Sequence, residues 1–539
     1  MKPRDGLPMR SLLILVGAVL AAASSAAGGD PGIPYGNAQR TGYTAQELKP
    51  PYRALWVHAA RHKPRPAWRE PAWEPQRIDF DYAYAVSAAG DTVYYASSSD
   101  HALHALDLRT GHERWKYVTD GPVRLAPDFH GARVLFSSDD GFVYCLDGAT
   151  GRLVWKYRPA IPDSRLIGNE QMISRWPARS GVLIEDDRAY TTFGMLSPEG
   201  VAVCCLDART GRLIWINDTC GYRYMARPHL VTMGGVSPHG YLAVGGDLLV
   251  VTCGRSTPAL FDKHTGECRY HEADGDFTGG AWTMTAHGLV FTQADTLQKE
   301  FGSKLRRDDP SPEADVFDLA TLVALDAGTG QEVFSLRGGA RGVLSDAGQL
   351  TVIGRGRLLS VHLDDIRKAV GKKTVIKHTL GHFVDGEGIA KWAAPVERVY
   401  SLLQAGGTLI AGGRGTVECF DDADGRRLWQ TGVPGQARAM CIAPGHLIVS
   451  TTVGRIYCFV PTDRPDDALP SPVSPSAAPL ERAEAPEWPD GLPRGGYCLV
   501  AGEADTESLA ALARGYDLVF YAATRGDPQP IRGRLDKAG

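Results

Sequence analysis

One eleven-residue phrase, Ala/Cys-x-Asp-x-x-Thr-Gly-x-x-x-Trp, occurs six times in this chain, in full or in close variants, anchored at Asp107, Asp147, Asp207, Asp262, Asp326 and Asp421. Eight residues after each aspartate stands an aromatic: Trp115, Trp155, Trp215, Tyr270, Phe334 and Trp429. The first five anchors lie 40 to 64 residues apart, and self-similarity at such a period points to a stacked or radial array, not to one irregular core. A short apolar strand precedes each anchor, such as Val143-Tyr144-Cys145-Leu146, and another follows each turn, such as Leu153-Val154-Trp155-Lys156-Tyr157. Between them Asp-x-x-Thr-Gly makes a hairpin turn: the carboxylate can accept backbone N–H groups, and glycine supplies positive φ.

The aromatic falls early in the outer strand, where it can wedge against the next sheet and bury up to about 250 Å². Repeated radially, such hairpins make a β-propeller, so the expected fold class is all-β with these aromatics as docking residues. The 62 glycines and 35 prolines fit a turn-rich chain, and 43% hydrophobic with 22% charged residues fits a soluble globular protein. A net charge of −4 offers no basic face for nucleic acid. Two degenerate copies, Leu358–His362 and Arg455–Val460, raise the count from six to eight blades, with seven left open because these copies are weak. Ala54-Leu55-Trp56-Val57-His58 reads as an outer strand that completes the last blade and closes the ring, which removes exposed sheet edges.

Lys2, Arg4 and Arg10 precede an apolar run from Leu12 to Ala23, and Ser25-Ala26-Ala27 offers a cleavage point. Twelve apolar residues are too few to span a bilayer. The expectation is a signal peptide at 1–27, removal on export to the periplasm or cell envelope, and no transmembrane span in the mature chain. The propeller then covers 28–462, a flexible Pro-rich linker 463–495, and a further segment 496–539. Cys145, Cys205, Cys419 and Cys458 hold the same position in their repeats, too far apart for disulfides, and read as small buried hydrophobes. The adjacent Cys204 and Cys205 should point to opposite faces of their strand. No Cys-x-x-Cys metal or haem signature occurs.

The phrase beginning at Ala105 and its copies resemble the tryptophan-docking repeat of pyrroloquinoline-quinone-like propellers, which include quinoprotein alcohol dehydrogenases and the propeller of the outer-membrane-protein assembly machinery. The resemblance covers roughly residues 33 to 462 and implies the fold, because the repeat is a packing device. Arg175–Gly181, Gly240–Val244 and Cys253–Ala259 resemble a narrower group of exported bacterial propellers of the planctomycete type, in which a class I methyltransferase often follows. Here Gly496–Gly502, an amphipathic run Ser508–Arg514 and Asp517–Tyr521 form a strand-helix-strand pattern that resembles the opening of such a Rossmann-like domain. Gly502-Glu503-Ala504-Asp505-Thr506 lacks the glycine-rich turn, and Ala522-Ala523 stand where a ribose-binding acid belongs. The segment therefore reads as a truncated, methyltransferase-like βαβ fragment that should not bind S-adenosylmethionine.

The quinoprotein resemblance implies pyrroloquinoline quinone with calcium, held by carboxylate and amide oxygens, and an aspartate as general base. Asn169, Glu170 and Asp218 are available but match no motif of that family. No Gly-x-Ser-x-Gly elbow supports a hydrolase, and His101 and His104, read within one strand, face opposite sides. No catalytic residue and no metal site are assigned. What remains is a binding surface. Arg255, Arg355 and Arg414 each stand seven residues before their anchor, in the turn between second and third strands, and should emerge on one face of the disc; Arg175 and Arg179 can join them near the channel. Guanidinium groups so placed would take the carboxylates or phosphates of an acidic ligand or protein segment. The expected function is a monomeric binding or scaffold module, with a quinone-dependent oxidoreductase and a methyltransferase remnant as alternatives.

Overall fold

In a computed structural model of the chain, the described residues are 31–68, 78–168, 170–227, 230–254, 256–271, 279–295, 320–337, 339–354, 356–372, 383–385, 387–464, 468–474, 495–501, 506–515, 517–523, 529 and 531–532. Strands dominate and fall into four-stranded antiparallel units in chain order. The first comprises Ala85–Ala89, Thr92–Ser97, Ala102–Asp107 and Glu113–Val118. The last comprises the second half of Arg427–Ala443, then His446–Thr451, Arg455–Pro461 and, from the start of the chain, Tyr52–Ala59. Trp56 pairs with Cys458 and His58 with Ile456, so the early outer strand does complete the final sheet.

Counted this way the described residues form eight such sheets, the seventh and eighth running together through two long strands, besides a few two-stranded ladders, and eight buried apolar clusters alternate with the eight. Tyr94 and Leu103 of the first sheet pack on Val134 and Phe136 of the second. The series runs on to Cys441, Ile448 and Cys458 of the eighth sheet, which pack on Val86, Val93 and Leu106 of the first. Every sheet is thereby covered on both faces, the radial arrangement of a β-propeller.

The repeated phrase does what its residues dictate. Asp107 Oδ1 accepts the Thr110 amide at 2.9 Å and the Thr110 hydroxyl at 2.9 Å, and Asp147, Asp207 and Asp326 repeat both bonds. Asp262 takes the Thr265 amide. Asp421, with no threonine three residues on, bonds the Ala423 amide instead. Gly111 has φ +72°, and a Cβ there would lie 2.7 Å from the Trp56 ring of the preceding sheet. Gly151, Gly211, Gly266 and Gly330 stand in the same way against Trp115, Trp155, Trp215 and Tyr270. Glycine is thus required twice over, for the turn and for the aromatic laid on it. Two of these indole N–H groups finish the dock: Trp115 donates to Gly148 O at 3.0 Å and Trp215 to Lys263 O at 3.1 Å. Phe334 is buried between the fifth and sixth sheets, and Trp429 meets the Tyr52 ring edge-on at 4.9 Å.

The sixth blade departs from the phrase. Its third strand, Arg357–His362, runs into a helix, Leu363–Lys372, where the hairpin turn would be, and the outer strand is Trp392–Pro395. Trp392 nevertheless donates to Asp422 O at 2.8 Å and lies on Gly425.

All ten cysteines are free thiols. Cys145, Cys205, Cys419 and Cys458 each pair with the docking tryptophan of their own blade, where burial pushes the thiols up. Cys204 faces the second sheet and Cys205 the fourth, on opposite sides of their strand. Beyond the ring, Gly495–Ala501 and Asp517–Ala523 pair in parallel with the helix Thr506–Gly515 between them. No described helix is long and apolar enough to cross a membrane.

Candidate functional site

The innermost strand of each sheet begins on one face of the disc and ends on the other, so the central channel has two mouths. The chain itself crosses both. On the face where the innermost strands end, residues 31–44 lie across the mouth. Ala38, Gln39, Thr41 and Gly42 accept the amides of Val244, Thr285, Leu344 and Gln404 at 2.8–3.0 Å, in the fourth to seventh sheets, while Gly32 exchanges two backbone bonds with Ala88 of the first. Arg40, with φ +60°, is buried; it donates to Leu242 O and Pro34 O and lies over the Tyr241 ring.

The opposite mouth is crossed by the segment ahead of the first sheet. A Cβ on Gly254 of the fourth blade would meet Ile78. Asp79 pairs with Arg341 of the sixth blade and, at 3.3 Å, with Arg438 of the eighth. Asp81 takes the Ala67 amide at 2.8 Å and pairs with Arg124, on the lead-in to the second sheet, at 2.5 Å. Arg124 also donates to Asp139 at 2.6 Å and to Gln171 at 3.1 Å, and Arg179 grips both Asp139 oxygens at 2.9 Å. Arg124, Arg179, Asp81 and Asp139 are each no more than 3% exposed. Burial would push the Asp139 carboxyl up, but the two guanidinium groups hold it below the usual range. At Asp81 burial wins over Arg124, and the carboxyl is raised; its second oxygen is buried without a partner among the described residues. Arg438 is clamped between Tyr400 and Tyr82, 4.2 and 4.8 Å from their ring centres.

These four arginines share one position. Arg124, Arg179, Arg341 and Arg438 stand seven residues before the positive-φ residue that turns the first strand into the second: Gly131, Asp186, Gly348 and Gly445. An Arg-x₆-turn pattern is therefore present in the sequence, one turn away from the arginines seven residues before the repeat anchors. Of the arginines singled out there, Arg179 alone belongs to this network. Arg175 is exposed, 3.6 Å from Glu199 and 5.5 Å from the Trp176 ring centre. Arg414 is exposed within the long strand Thr408–Asp421, its amide on Arg398 O and its backbone paired at a bulge with Gln436. Arg255 and Arg355 lie outside the described residues.

The residues considered for a quinone and calcium do not gather. Asn169 lies outside the described residues, Glu170 turns at φ +62° toward Arg65, and Asp218 is exposed beyond the outer strand of the third sheet. Cys204 and Cys205 point into two different inter-blade layers. Among the described residues no three His, Cys, Asp or Glu side chains are grouped to hold a metal ion. This donor set does not fit the group.

A cavity of about 360 Å³ opens at the seam of the eighth and first blades, lined by His58, His62, Tyr95, His104, Glu113 and Lys116 among others. His101 is not in the strand with His104: it sits at φ +57° in the preceding turn, because a left-handed residue is needed to enter Ala102–Asp107. His104 lies parallel to Tyr95 at 4.2 Å and between Glu113 at 2.6 Å and Asp100 at 3.0 Å. Burial would discharge the ring, but Asp100 and Glu113 outweigh it and raise its pKa to about 9. A folded-state pKa above the unfolded value near 6.5 stabilises fully below pH ~6.5, and this is lost as pH rises through about 9. Denaturant midpoints of the wild type are therefore expected to fall between pH 7 and pH 9.5, and His104→Gln should be less stable and lack this slope. An identical slope in the variant would show that His104 is not held as the cation.

Two solved structures share the fold. A quinohemoprotein alcohol dehydrogenase from Pseudomonas putida HK5 is 11% identical, with a TM-score of 0.52 over 85% of this chain and 83% of that one. A europium-containing methanol dehydrogenase is 12% identical, with a TM-score of 0.51 over 79% and 97%. BamB from Moraxella catarrhalis aligns over 69% of this chain and 82% of that one at 14% identity and a TM-score of 0.36. At 11 and 12% identity the likeness to the two dehydrogenases extends to the fold alone. No curated protein matches the sequence. A family model does, over residues 57–219 and 199–459, which together take in well over half of the chain and every docking tryptophan from Trp115 to Trp429. With the closed series of sheets and the repeated aromatic docks, this match places the chain in the family described as outer membrane protein assembly factor BamB.

Proposed function

We propose that this chain is an exported, non-catalytic binding or scaffold module of the cell envelope, an eight-bladed β-propeller that meets its partners through its rim and loops. The double crossing of the channel carries the reading. Residues 31–44 bond to five innermost strands on one face, and Asp79 and Asp81 hold arginines on the other, so the axis is filled by the chain's own residues. The carboxylates expected at the arginine face are in part internal. Of the arginines expected to take an acidic partner, Arg175 and Arg414 are exposed, and an acidic segment is proposed to dock against them. Membership in a family described for an outer-membrane assembly factor supports an envelope location, as does the apolar run Leu12–Ala23 behind three basic residues. The narrower exported bacterial grouping is part of the same reading, and the C-terminal strand-helix-strand unit is read as a methyltransferase-like fragment without S-adenosylmethionine chemistry.

A quinone-dependent oxidoreductase is the second reading, favoured by the fold shared with two dehydrogenases. Incubating the purified mature chain with pyrroloquinoline quinone and calcium, followed by absorbance and dye-linked alcohol oxidation, separates the two. The expected result is no quinoid spectrum and no turnover; a quinoid spectrum with turnover sinks the binding-module reading.

A further inference from the structure

The eight large apolar side chains most exposed among the described residues all fall between Leu153 and Tyr222, in the second and third blades and their connections. They concentrate on one strand. Leu213–Asn217, the outer edge of the third sheet, reads Leu-Ile-Trp-Ile-Asn, without a charge, and Leu213, Ile214 and Ile216 are 37–42% exposed. Trp215 and Asn217 are committed to the fourth blade, donating to Lys263 O and Gly266 O, which leaves Ile214 and Ile216 on the other side of the strand. Three other edges carry charge, with Glu113, Arg114 and Lys116 on the first blade, Arg269 on the fourth and Arg427 on the seventh, while the uncharged edge of the sixth, Trp392–Pro395, offers only alanines between its tryptophan and a proline. An uncharged apolar edge with unpaired backbone groups is a template for another strand.

The chain covers two of its own edges in this way. Phe383–Asp385 adds in parallel to Glu332–Arg337 of the fifth blade, and Val473 bridges in parallel to His58 of the eighth, exchanging bonds with Val57 and Ala59. Among the described residues nothing pairs with the edge of the third blade. Its ends are oppositely charged: Arg209 and Arg212, both exposed, stand before it and exposed Asp218 follows it.

We propose that Leu213–Asn217 is a docking edge for an extended segment of a partner protein, which adds as a fifth, parallel strand with acidic residues at its N-terminal end and alternate apolar side chains over Ile214 and Ile216. Parallel addition sets the partner's first residues beside Arg209 and Arg212 and its last beside Asp218, so charge fixes direction as well as affinity, while main-chain bonds supply the attachment. This deepens the reading of the chain as a binding module and rests on it.

The test uses the mature chain and a fluorescein-labelled peptide, Glu-Asp-Val-Thr-Ile-Thr-Val-Lys, read by fluorescence anisotropy and by amide hydrogen exchange. Saturable binding is expected, with slowed exchange confined to 213–217. The reversed peptide should bind at least tenfold more weakly. Arg209→Glu with Arg212→Glu should weaken binding tenfold or more, and a peptide beginning Lys-Lys should restore it; all these side chains are exposed, so folding is spared. Ile214→Asp with Ile216→Asp should abolish binding. No binding, equal binding of the reversed peptide, or protection elsewhere overturns the proposal. A wild-type dimer in sedimentation that the double Asp variant dissolves, without peptide binding, assigns the edge to a second copy and also overturns it. The quinone assay is untouched by any of these outcomes, so failure here is distinguishable from failure of the functional reading.

Discussion

Asp139→Ala is expected to cost about 3–5 kcal/mol, the range for removing one partner from a buried ion network. The carboxylate is 1% exposed and takes three guanidinium bonds, two from Arg179 and one from Arg124. Its loss leaves two cations in a site that burial has stripped of water, with Asp81 alone to oppose them. Thermal unfolding should show a Tm lower by about 5 °C or more. Pairing the change with Arg179→Ala should recover part of the loss, because the second substitution removes a stranded charge; a double-mutant cycle reads the coupling. Strict additivity of the two losses, or a cost for Asp139→Ala under about 1 kcal/mol, contradicts the buried network.

Trp56→Ala should open the ring at its seam. The indole is 3% exposed, lies on Gly111 and donates to Leu108 O at 2.8 Å, joining the strand from the start of the chain to the first blade. A large-to-small change at such an aromatic costs about 3–5 kcal/mol. Its position adds a second effect, since the outer strand of the eighth sheet comes from the start of the propeller sequence and the other three from its end. Exchange of amides in Tyr52–Ala59 and Arg455–Pro461 should accelerate far more than exchange in the third or fourth sheets. The chemically similar Trp115→Ala, between blades joined by continuous chain, should lose stability without that localised opening. Uniform acceleration around the ring in both variants would show that the seam is not a weak point.

How much of this was legible beforehand depends on how far apart the interacting residues lie. The anchors, the glycines and four of the six spaced aromatics' docks follow from contacts inside one hairpin or between neighbouring blades, and these leave a repeated signature. The closing strand around Trp56 could be found because it carries the same aromatic without its anchor. Trp392 could not: a helix replaces the turn of the sixth blade, so the spacing of eight residues is lost although the dock on Gly425 is kept. The paired histidines misled in the opposite way, since a strand-like run gave no warning of the left-handed turn at His101.

The arginines mark the limit. Their pattern is periodic, seven residues before the first turn of a blade, but an arginine in a lead-in is equally compatible with solvent. What decides their role is that Asp79 reaches Arg341 and Arg438 across 262 and 359 residues of sequence, and that Asp81 and Asp139 converge on Arg124. Such pairings arise when the ring closes and brings innermost strands from distant blades around one axis. The sequence by itself determined the hairpins, their docking aromatics and the radial repeat, because each rests on interactions local to one repeat or its neighbour. The tertiary structure alone decided that both mouths are crossed, that four arginines are spent on the chain's own carboxylates, and that the apolar edge of the third blade is left uncovered among the described residues, because these depend on which residues the closed ring brings together or leaves outside.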